Sequence, residues 1–313
     1  MARLTPPLRH PGLAGRPSLL AVFAHPDDES FLCGGTLAWC AHHGVRVTLV
    51  CATRGEASRI LNPDLPPATS LPELREDELR RACAALGVEE VVLLGHHDSG
   101  HGHRLRGEDS RALVNVPPAA LERQLLDVIG RTAPQVVVTF DPHGLYGHPD
   151  HLAVHRAATA AFHASGHLPN PPLRLWYSVP LANDLRAMQA RPCGMLGGLP
   201  PEVFGISLNT AGALMDVRPH AARKRRALTA HRSQLGPTST LGLAVREEGS
   251  PLYEREAFSL GGTRTSLSRS PLRHLFEGLE LPGWSTLDTA EHPLRQPDPA
   301  SVLSREGPVS VSG

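Results

Sequence analysis

The sequence predicts an α/β fold, a doubly wound and mostly parallel sheet with helices on both faces. Short apolar, β-rich runs alternate with helical patterns over the first 180 residues. Strands separated by helices pair in parallel through right-handed crossovers, which gives a three-layer α/β/α architecture with a Rossmann-like topology. Ligands bind such sheets at the carboxyl ends of the strands, so the chemistry is expected there.

Five strands and four helices are predicted before residue 180. The predicted strands are Leu19–Ala24, Val45–Ala52, Val88–Leu94, Gln135–Phe140 and Leu173–Val179. The predicted helices are Gly35–His43, Leu71–Leu86, Pro117–Thr132 and His151–Ala164. Gly44 and Gly87 follow the first two helices, where glycine is a common stop signal. Beyond residue 180 the pattern is weaker, and it predicts only a basic helix at Pro219–Gln234 and a strand at Glu254–Leu260.

One domain is expected at residues 18–285, after an N-terminal extension at 1–17 and before a disordered tail at 286–313. The tail is rich in Pro, Ser and charge and shows no periodicity. The apolar run near residue 20 is too short for a secretory signal and reads better as a buried strand. No other segment approaches the ~20 apolar residues that a membrane span requires.

The composition excludes some classes of protein. The chain has 31 basic and 31 acidic residues, a balance that argues against binding to nucleic acid or to an anionic membrane. Its single lysine, Lys224, is interpreted as coding bias towards arginine. Five cysteines without a CxxC pair indicate free thiols and a cytoplasmic location. The sequence does not decide between a monomer and a homo-oligomer.

Two polar segments stand directly after predicted strands. These segments are His25-Pro26-Asp27-Asp28-Glu29 after the first strand and His148-Pro149-Asp150-His151 after the fourth. Each contains two potential metal ligands spaced three residues apart, at a turn where both side chains can converge. One such spacing is usually structural, but two of them at the carboxyl ends of apolar strands are hard to attribute to chance.

Imidazole nitrogen and carboxylate oxygen are the ligands of catalytic zinc, which normally takes three from the protein and leaves one position open. His25, Asp28 and His151 would form such a set. Asp27 and His148 would then stand beside the metal without binding it, available for proton transfer.

These residues resemble the LmbE/PIG-L family of zinc-dependent N-acetylglucosaminyl deacetylases. The similarity continues in Thr53-Arg54-Gly55-Glu56, Leu74-Arg75-Glu76-Asp77-Glu78-Leu79, Asp98 and His231-Arg232-Ser233-Gln234. It covers about residues 18–235. The resemblance implies an LmbE-like fold and a hydrolase that removes an N-acetyl group from a small amino-sugar substrate of the N-acetylglucosamine type.

The resemblance also implies roles for individual residues. Zinc, or another divalent metal such as Fe²⁺, would bind His25, Asp28 and His151, and Asp27 would be the general base that activates water.

Around the acyl oxygen, His148 would act as an imidazolium that stabilises the oxyanion, assisted by Tyr146. Asp150 is expected to hold the other ring nitrogen of His148 and keep it protonated. Arg75 and Asp98 match positions that hold sugar hydroxyls, although a surface ion pair explains such residues nearly as well.

Other readings stay open. The same chemistry could serve an amidase that acts on a thiol conjugate or an acylated natural product. A nucleotide-binding Rossmann module without metal chemistry would need a glycine-rich turn after the first strand, where this sequence has Asp27 and Asp28. Specificity is expected in the loops at residues 57–72, 96–116 and 180–205.

The remaining histidines are mostly expected to be structural. His155 shares a helical face with His151, but a catalytic metal needs an open site, so a structural role is favoured. The glycine-rich loop after the third strand contains His96, His97, His101 and His103. A solvated loop beside the substrate is favoured there over a second metal site.

Overall fold

A seven-stranded sheet forms the centre of the structure, a computed structural model that describes residues 15–66, 70–189, 200–246, 249–267 and 270–281. Its strands are β1 Ser18–Phe23, β2 Arg46–Cys51, β3 Glu90–Leu93, β4 Val136–Phe140, β5 Arg174–Val179, β6 Ala213–Asp216 and β7 Arg255–Thr263. They lie in the order β3-β2-β1-β4-β5-β7-β6. The first five are parallel, while β7 runs antiparallel to β5 and β6 antiparallel to β7.

Helices cover the sheet in two groups. They are α1 Asp28–His42, α2 Leu71–Leu86, α3 Pro118–Thr132, the short turn α4 Gly144–Gly147, α5 Pro149–Ala164, α6 Ala182–Gln189, α7 Ala221–Ala230 and α8 Thr240–Arg246. α7 packs on α1 and α2, whereas α3 packs on α5. The crossovers through α1 and α3 lead in opposite directions along the sheet, so right-handed connections place these helices on opposite faces.

Strands β1 and β4 lie at the centre of the core. Every residue of both strands is buried, as expected for parallel strands that are covered on both faces. Their apolar side chains, among them Leu20, Phe23, Val137 and Phe140, are fully buried. The sheet therefore holds the loops that follow β1 and β4 on a rigid base.

The predicted fold class is confirmed, and the first five strands agree within a few residues. The first helix was predicted to begin at Gly35 but begins at Asp28, because a kink at Cys33 (φ −145°, ψ 21°) joins two helical segments. The predicted basic helix is limited to Ala221–Ala230. Strand β6 and helices α6 and α8 were not predicted, since each is short and lies in the part of the chain with weak periodicity.

The predicted terminal segments fall mainly on residues 1–14 and 282–313, which lie outside the described residues. The domain boundaries therefore stay a prediction. Within the described ranges, no helix is both long and apolar enough to cross a membrane.

A histidine cluster lies beside the start of α7. The ring of His220 lies 5.4 Å from that of His42, measured between centroids. Burial and the neighbouring charges of His42, His43 and Arg223 together lower the pKa of His220 to about 4, against the opposing charge of Asp216. His220 is therefore neutral in the folded protein at pH 5, whereas an unfolded histidine has a pKa of about 6.5.

This difference predicts a loss of stability in mild acid. Between about pH 6.5 and pH 4 the unfolded chain binds a proton that folded His220 does not, so the free energy of unfolding falls as the pH falls. Urea unfolding at pH 7 and at pH 5 measures this loss. Between the two pH values the free energy of unfolding of the wild type should fall by about 1 kcal/mol more than that of His220→Gln, after allowance for screening by solvent. Equal losses in the two proteins would contradict the assignment to His220.

Candidate active site

The candidate site lies where the strand order reverses. β1 pairs with β2 on one side and with β4 on the other, and the chain leaves both β1 and β4 at the same edge of the sheet. Such a switch point opens a crevice between the two loops. The loop after β1 carries His25 and Asp27, and the loop after β4 carries His148. The two motifs therefore meet at the edge of the sheet where the sequence predicts the chemistry.

The three predicted metal ligands converge in this crevice. His25 Nδ1 lies 3.2 Å from His151 Nε2 and 3.5 Å from Asp28 Oδ2, and His151 Nε2 lies 3.4 Å from Asp28 Oδ1. Ligand atoms about 2.0–2.2 Å from a tetrahedral zinc are separated by about 3.3–3.6 Å. The three separations are close to this range, with the two Asp28 distances ending at different carboxylate oxygens. Ring nitrogens of His25, His148 and His151 also lie within 4.8 Å of one another.

Outer contacts turn the free lone pairs of both rings towards this centre. His151 Nδ1 donates to the carbonyl oxygen of Gly144 at 3.1 Å, and His25 Nε2 donates to Asp150 Oδ2 at 3.0 Å. The other ring nitrogens, His25 Nδ1 and His151 Nε2, then face each other and the Asp28 carboxylate. All three groups are hydrogen-bond acceptors. Such a group requires a cation, and hydrogen bonds of this kind orient metal-binding histidines.

The charges of the metal-free protein follow from the same contacts. Burial lowers the pKa of His25, but its hydrogen bonds to Asp150, Asp28 and Asp98 outweigh burial and hold that pKa well above its usual value. Burial lowers the pKa of His151 to about 4. Burial alone would raise the pKa of Asp28, yet His151 and His25 hold it below its usual range. At neutral pH a metal would replace a proton on His25.

The predicted role of Asp150 is wrong. Its carboxylate accepts from His25 Nε2 and, at 2.9 Å, from the backbone N–H of Ser99, and it does not hold the ring of His148. His148 instead caps the N-terminus of α5, where its Nδ1 accepts the backbone N–H of Asp150 at 3.2 Å. The cap turns the ring back onto the first helical turn, so the carboxylate of Asp150 is left to orient a metal ligand.

This cap also contradicts the predicted imidazolium form of His148. Because Nδ1 accepts a backbone N–H, the ring proton resides on Nε2. Burial and the neighbouring His25 and His151 lower the pKa of His148 to about 2. His148 lines the crevice as a neutral imidazole that can donate one hydrogen bond.

Asp27 lies beside the ligand trio and outside it. Its Oδ2 accepts from Arg75 Nη2 at 3.1 Å, and its side chain keeps 23% of its exposure. Burial raises the pKa of Asp27 to about 6, against the opposing charge of Arg75. A carboxylate with a pKa near neutrality is suited to general base catalysis.

Arg75 and Asp98 both line the crevice, but their contacts differ from those expected. The guanidinium of Arg75 donates to Asp27 and to the backbone oxygens of Pro26 and Gly55. Gly55 has a φ of 72°, and a Cβ there would lie 1.8 Å from Arg75 Nη1, so a larger residue would be strained and would displace the guanidinium. Asp98 accepts the backbone N–H of Gly100 at 2.8 Å. Their binding of sugar hydroxyls stays a prediction.

The crevice opens into a cavity of about 620 Å³, within the range of small-molecule sites. Its described lining beyond the residues above is Phe31, Ala57, Ser58, Leu61, Gly100, His101, Arg104, Leu145, Tyr146, Gln234, Thr238, Ser239, Thr240 and Leu241. Residues of two loops predicted to set specificity, 57–72 and 96–116, line the cavity, and their role in specificity stays a prediction. The third wall of the cavity is formed by residues of 234–241. The loop at 180–205 was predicted in its place, but none of its described residues lines the cavity.

The third wall was missed because the chain beyond residue 235 has little periodicity. Its run of hydroxyl side chains, Thr238 to Thr240, was the signal available in the sequence. Tyr146 stands at the mouth of the cavity, 39% exposed, with its ring 5.3 Å from that of His151 between centroids. Glu29 and His231, a buried ion pair at 2.9 Å, were also given no role.

The other histidines agree with their predicted structural roles. His155 Nδ1 donates to the backbone oxygen of Phe140 at 2.9 Å. In the loop after β3, His96 pairs with Gln124 and His97 pairs with Asp109. His101 alone of the loop histidines lines the described part of the cavity.

Comparison with solved structures supports the fold. A conserved protein of Thermus thermophilus superposes with a TM-score of 0.52 at 25% identity, covering 80% of this chain and 98% of that chain. An N,N'-diacetylchitobiose deacetylase of Pyrococcus horikoshii superposes with a TM-score of 0.52 at 21% identity, covering 80% and 85% of the two chains. At these identities the second similarity concerns the fold alone.

Comparison with characterised sequences shows the family. The family described as PIG-L, GlcNAc-PI de-N-acetylase, matches residues 20–162. A 1D-myo-inositol 2-acetamido-2-deoxy-alpha-D-glucopyranoside deacetylase of Actinosynnema mirum is 39% identical over 241 residues, 71% of this chain and 82% of the relative. A relative of the same name from Rhodococcus opacus is 34% identical over 264 residues, 77% and 90% of the two chains. The chain therefore belongs to the PIG-L family of de-N-acetylases.

Proposed function

We propose that this protein is a metal-dependent hydrolase that removes the N-acetyl group from an N-acetylglucosamine-type substrate. The observation that carries the proposal is the group of three acceptors, His25, Asp28 and His151, with Asp27 and His148 beside it in one cavity. The names of the relatives support the substrate class, since they are deacetylases of an acetamido-deoxy-glucopyranoside.

The walls of the cavity suit a polyhydroxylated ligand. Ser58, Gln234 and the hydroxyl side chains from Thr238 to Thr240 line it, and such groups can donate and accept hydrogen bonds with sugar hydroxyls. The predicted partner is therefore a small amino-sugar glycoside. A cytoplasmic location stays a prediction from the sequence, which leaves the choice between a monomer and a homo-oligomer open.

We assign the metal to His25, Asp28 and His151, with zinc as the expected ion. Nitrogen and oxygen ligands also accept Fe²⁺, because affinity alone discriminates poorly among these metals. When bound, the metal supplies Lewis acidity that polarises the acyl oxygen and makes water more acidic.

The side chains around the ligand trio transfer protons and stabilise the developing negative charge. Asp27 accepts the proton of the attacking water, and Arg75 holds its carboxylate in place. His148 Nε2–H donates to the oxygen on which negative charge develops, and the Tyr146 hydroxyl is a second donor at the cavity mouth. Asp27 then returns the proton to the departing amine, which completes a general base and general acid cycle.

Removal of one ligand should abolish metal binding. His151→Ala is expected to reduce zinc from about one equivalent per chain to background, because two ligands rarely hold a catalytic zinc. Elemental analysis after dialysis measures this, and His155→Ala, on the same helix but bonded to Phe140, is the matched control that should keep its zinc. Equal zinc in wild type and His151→Ala would refute the ligand assignment.

The substrate class is tested by acetate release. Purified zinc protein would be assayed with N-acetylglucosaminyl-inositol, N-acetylglucosaminyl-malate, N-acetylglucosamine and chitooligosaccharides, alongside an N-acetylated thiol conjugate. Acetate from at least one amino sugar, with none from Asp27→Asn, is the expected result. Hydrolysis of the thiol conjugate alone would favour the amidase alternative.

A further inference from the structure

The backbone of Asp27 adopts a conformation that side-chain-bearing residues rarely use. Its φ is 119° and its ψ is −26°. Among the described residues only Asp27, Ala133 and Leu145 have positive φ without being glycine. Such conformations are strained and persist only where surrounding contacts impose them. The contacts at Asp27 therefore show what holds this residue beside the ligand trio.

One contact comes from Glu29. The backbone N–H of Asp27 donates to Glu29 Oε2 at 3.0 Å. The other oxygen, Oε1, accepts from the Ser30 hydroxyl and from His231 Nε2 at 2.9 Å. Glu29 and His231 are both fully buried, so the carboxylate has a fixed position. Neither residue lines the cavity, which places both of them behind Asp27.

A second contact comes from helix α2. Arg75 donates to the backbone oxygen of Pro26 and to Asp27 Oδ2. Glu78, one helical turn further along the same helix, accepts the backbone N–H of Ser233 at 2.7 Å and its hydroxyl at 2.6 Å. Ser233 follows His231 by two residues, so α2 holds the turn of Asp27 and also the segment that carries His231.

We propose that Glu29 and His231 are positioning residues that act through Asp27: His231 fixes the Glu29 carboxylate, which holds the Asp27 backbone N–H and thereby aims the Asp27 side chain. This inference rests on the proposed function for the role of Asp27 as the base. It also gives a role to Glu29, the last position of the first motif, and to His231, although neither residue lines the cavity.

A purely structural ion pair makes different predictions. Loss of a structural pair would lower stability or metal content, and it would reduce turnover by the same factor whether or not Asp27 is present. A positioning pair lowers kcat only while Asp27 is there to be positioned, because the two changes act on one step. A double-mutant cycle therefore separates the two roles.

The cycle combines His231→Leu with Asp27→Asn. His231→Leu should lower kcat about 10–100-fold, the usual cost of losing an outer contact at a metal site, with KM and zinc content within about twofold of wild type. In the Asp27→Asn background the same substitution should change kcat by less than about twofold. Equal losses in the two backgrounds would overturn the proposal.

Two further variants distinguish the loss of the bond to Glu29 from a general loss of folding. His231→Gln places an amide donor near the position of Nε2 and should restore most of the kcat lost in His231→Leu. Arg232→Gln changes the exposed neighbour and should leave kcat unchanged. A His231→Gln variant as slow as His231→Leu, with a normal melting temperature, would mean that the bond to Glu29 is not the cause.

A crystal structure gives a readout that does not depend on activity. In zinc-loaded His231→Leu, Asp27 should leave the positive-φ region, or its carboxylate should move away from Arg75 Nη2, while the three ligands keep their places. An unchanged Asp27 would overturn the positioning role even in an active enzyme. A displaced Asp27 in a protein whose wild type cleaves no acetamide would instead refute the proposed function and leave the structural link intact.

Discussion

Replacement of Asp27 with Asn is expected to lower kcat/KM by about 10²–10⁴-fold, the usual contribution of a general base. Asparagine keeps the size of the side chain and an oxygen that can accept from Arg75 Nη2, but it cannot take the proton of the attacking water. Asp27 lies outside the ligand trio, so the variant should keep its fold and about one equivalent of zinc. Steady-state kinetics together with elemental analysis measures both quantities.

The matched control is Asp77→Asn on α2. Asp77 is an exposed carboxylate that pairs with Arg81 at 2.6 Å and does not line the cavity, so Asp77→Asn should leave kcat/KM unchanged. Zinc-loaded Asp27→Asn with near-normal turnover would show that another group accepts the proton. A variant that loses both zinc and activity would show that Asp27 supports the metal site as well, contrary to the assignment of the ligands.

The ligand trio could be predicted from the sequence because its geometry is set by two short-range rules. A spacing of three residues brings two side chains together at a strand-to-helix turn, and parallel strands end at the same edge of a sheet. His25 and Asp28 follow the first rule, and the second rule brings His151 to them from β4. Both rules depend on local pattern and topology, which apolar periodicity reveals.

The contacts around the trio could not be predicted, because they depend on rotamers and on long-range packing. The side chain of Asp150 was assigned to His148, two residues earlier in the chain, yet the helix cap turns that ring away and leaves His25 as the partner. The partner of Glu29 is His231, which lies 202 positions away. No spacing rule connects residues at that separation.

Lys224 is another residue whose contacts could not be predicted from the sequence. As the only lysine in the chain it was interpreted as coding bias, but the structure buries it completely against Glu256, with Nζ donating to Oε1 at 2.6 Å. The Glu256 carboxylate also accepts the backbone N–H groups of Gly35 at 2.8 Å and Thr36 at 2.7 Å. Both N–H groups lie just after the kink of α1 at Cys33. The ion pair therefore supports the helix that carries Asp28.

Replacement of Lys224 with Met is expected to lower the free energy of unfolding by about 3–5 kcal/mol, the usual cost of leaving one member of a buried ion pair without its partner. Methionine fills a similar volume and leaves little cavity. The fall in the free energy of unfolding is therefore due mainly to the uncompensated charge of Glu256. Urea unfolding of the metal-free protein measures it as a lower midpoint at an unchanged slope.

Arg226→Met is the matched control, since Arg226 is an exposed cation on the same helix and surface changes of this kind stay within about 0.5 kcal/mol. The double variant Lys224→Met with Glu256→Gln should recover part of the lost stability, because a neutral amide can still accept one of the two backbone N–H groups without leaving a buried charge. If Lys224→Met matched Arg226→Met in stability, the buried pair would contribute nothing measurable, and the support of α1 would have to come from its apolar packing against α7 alone.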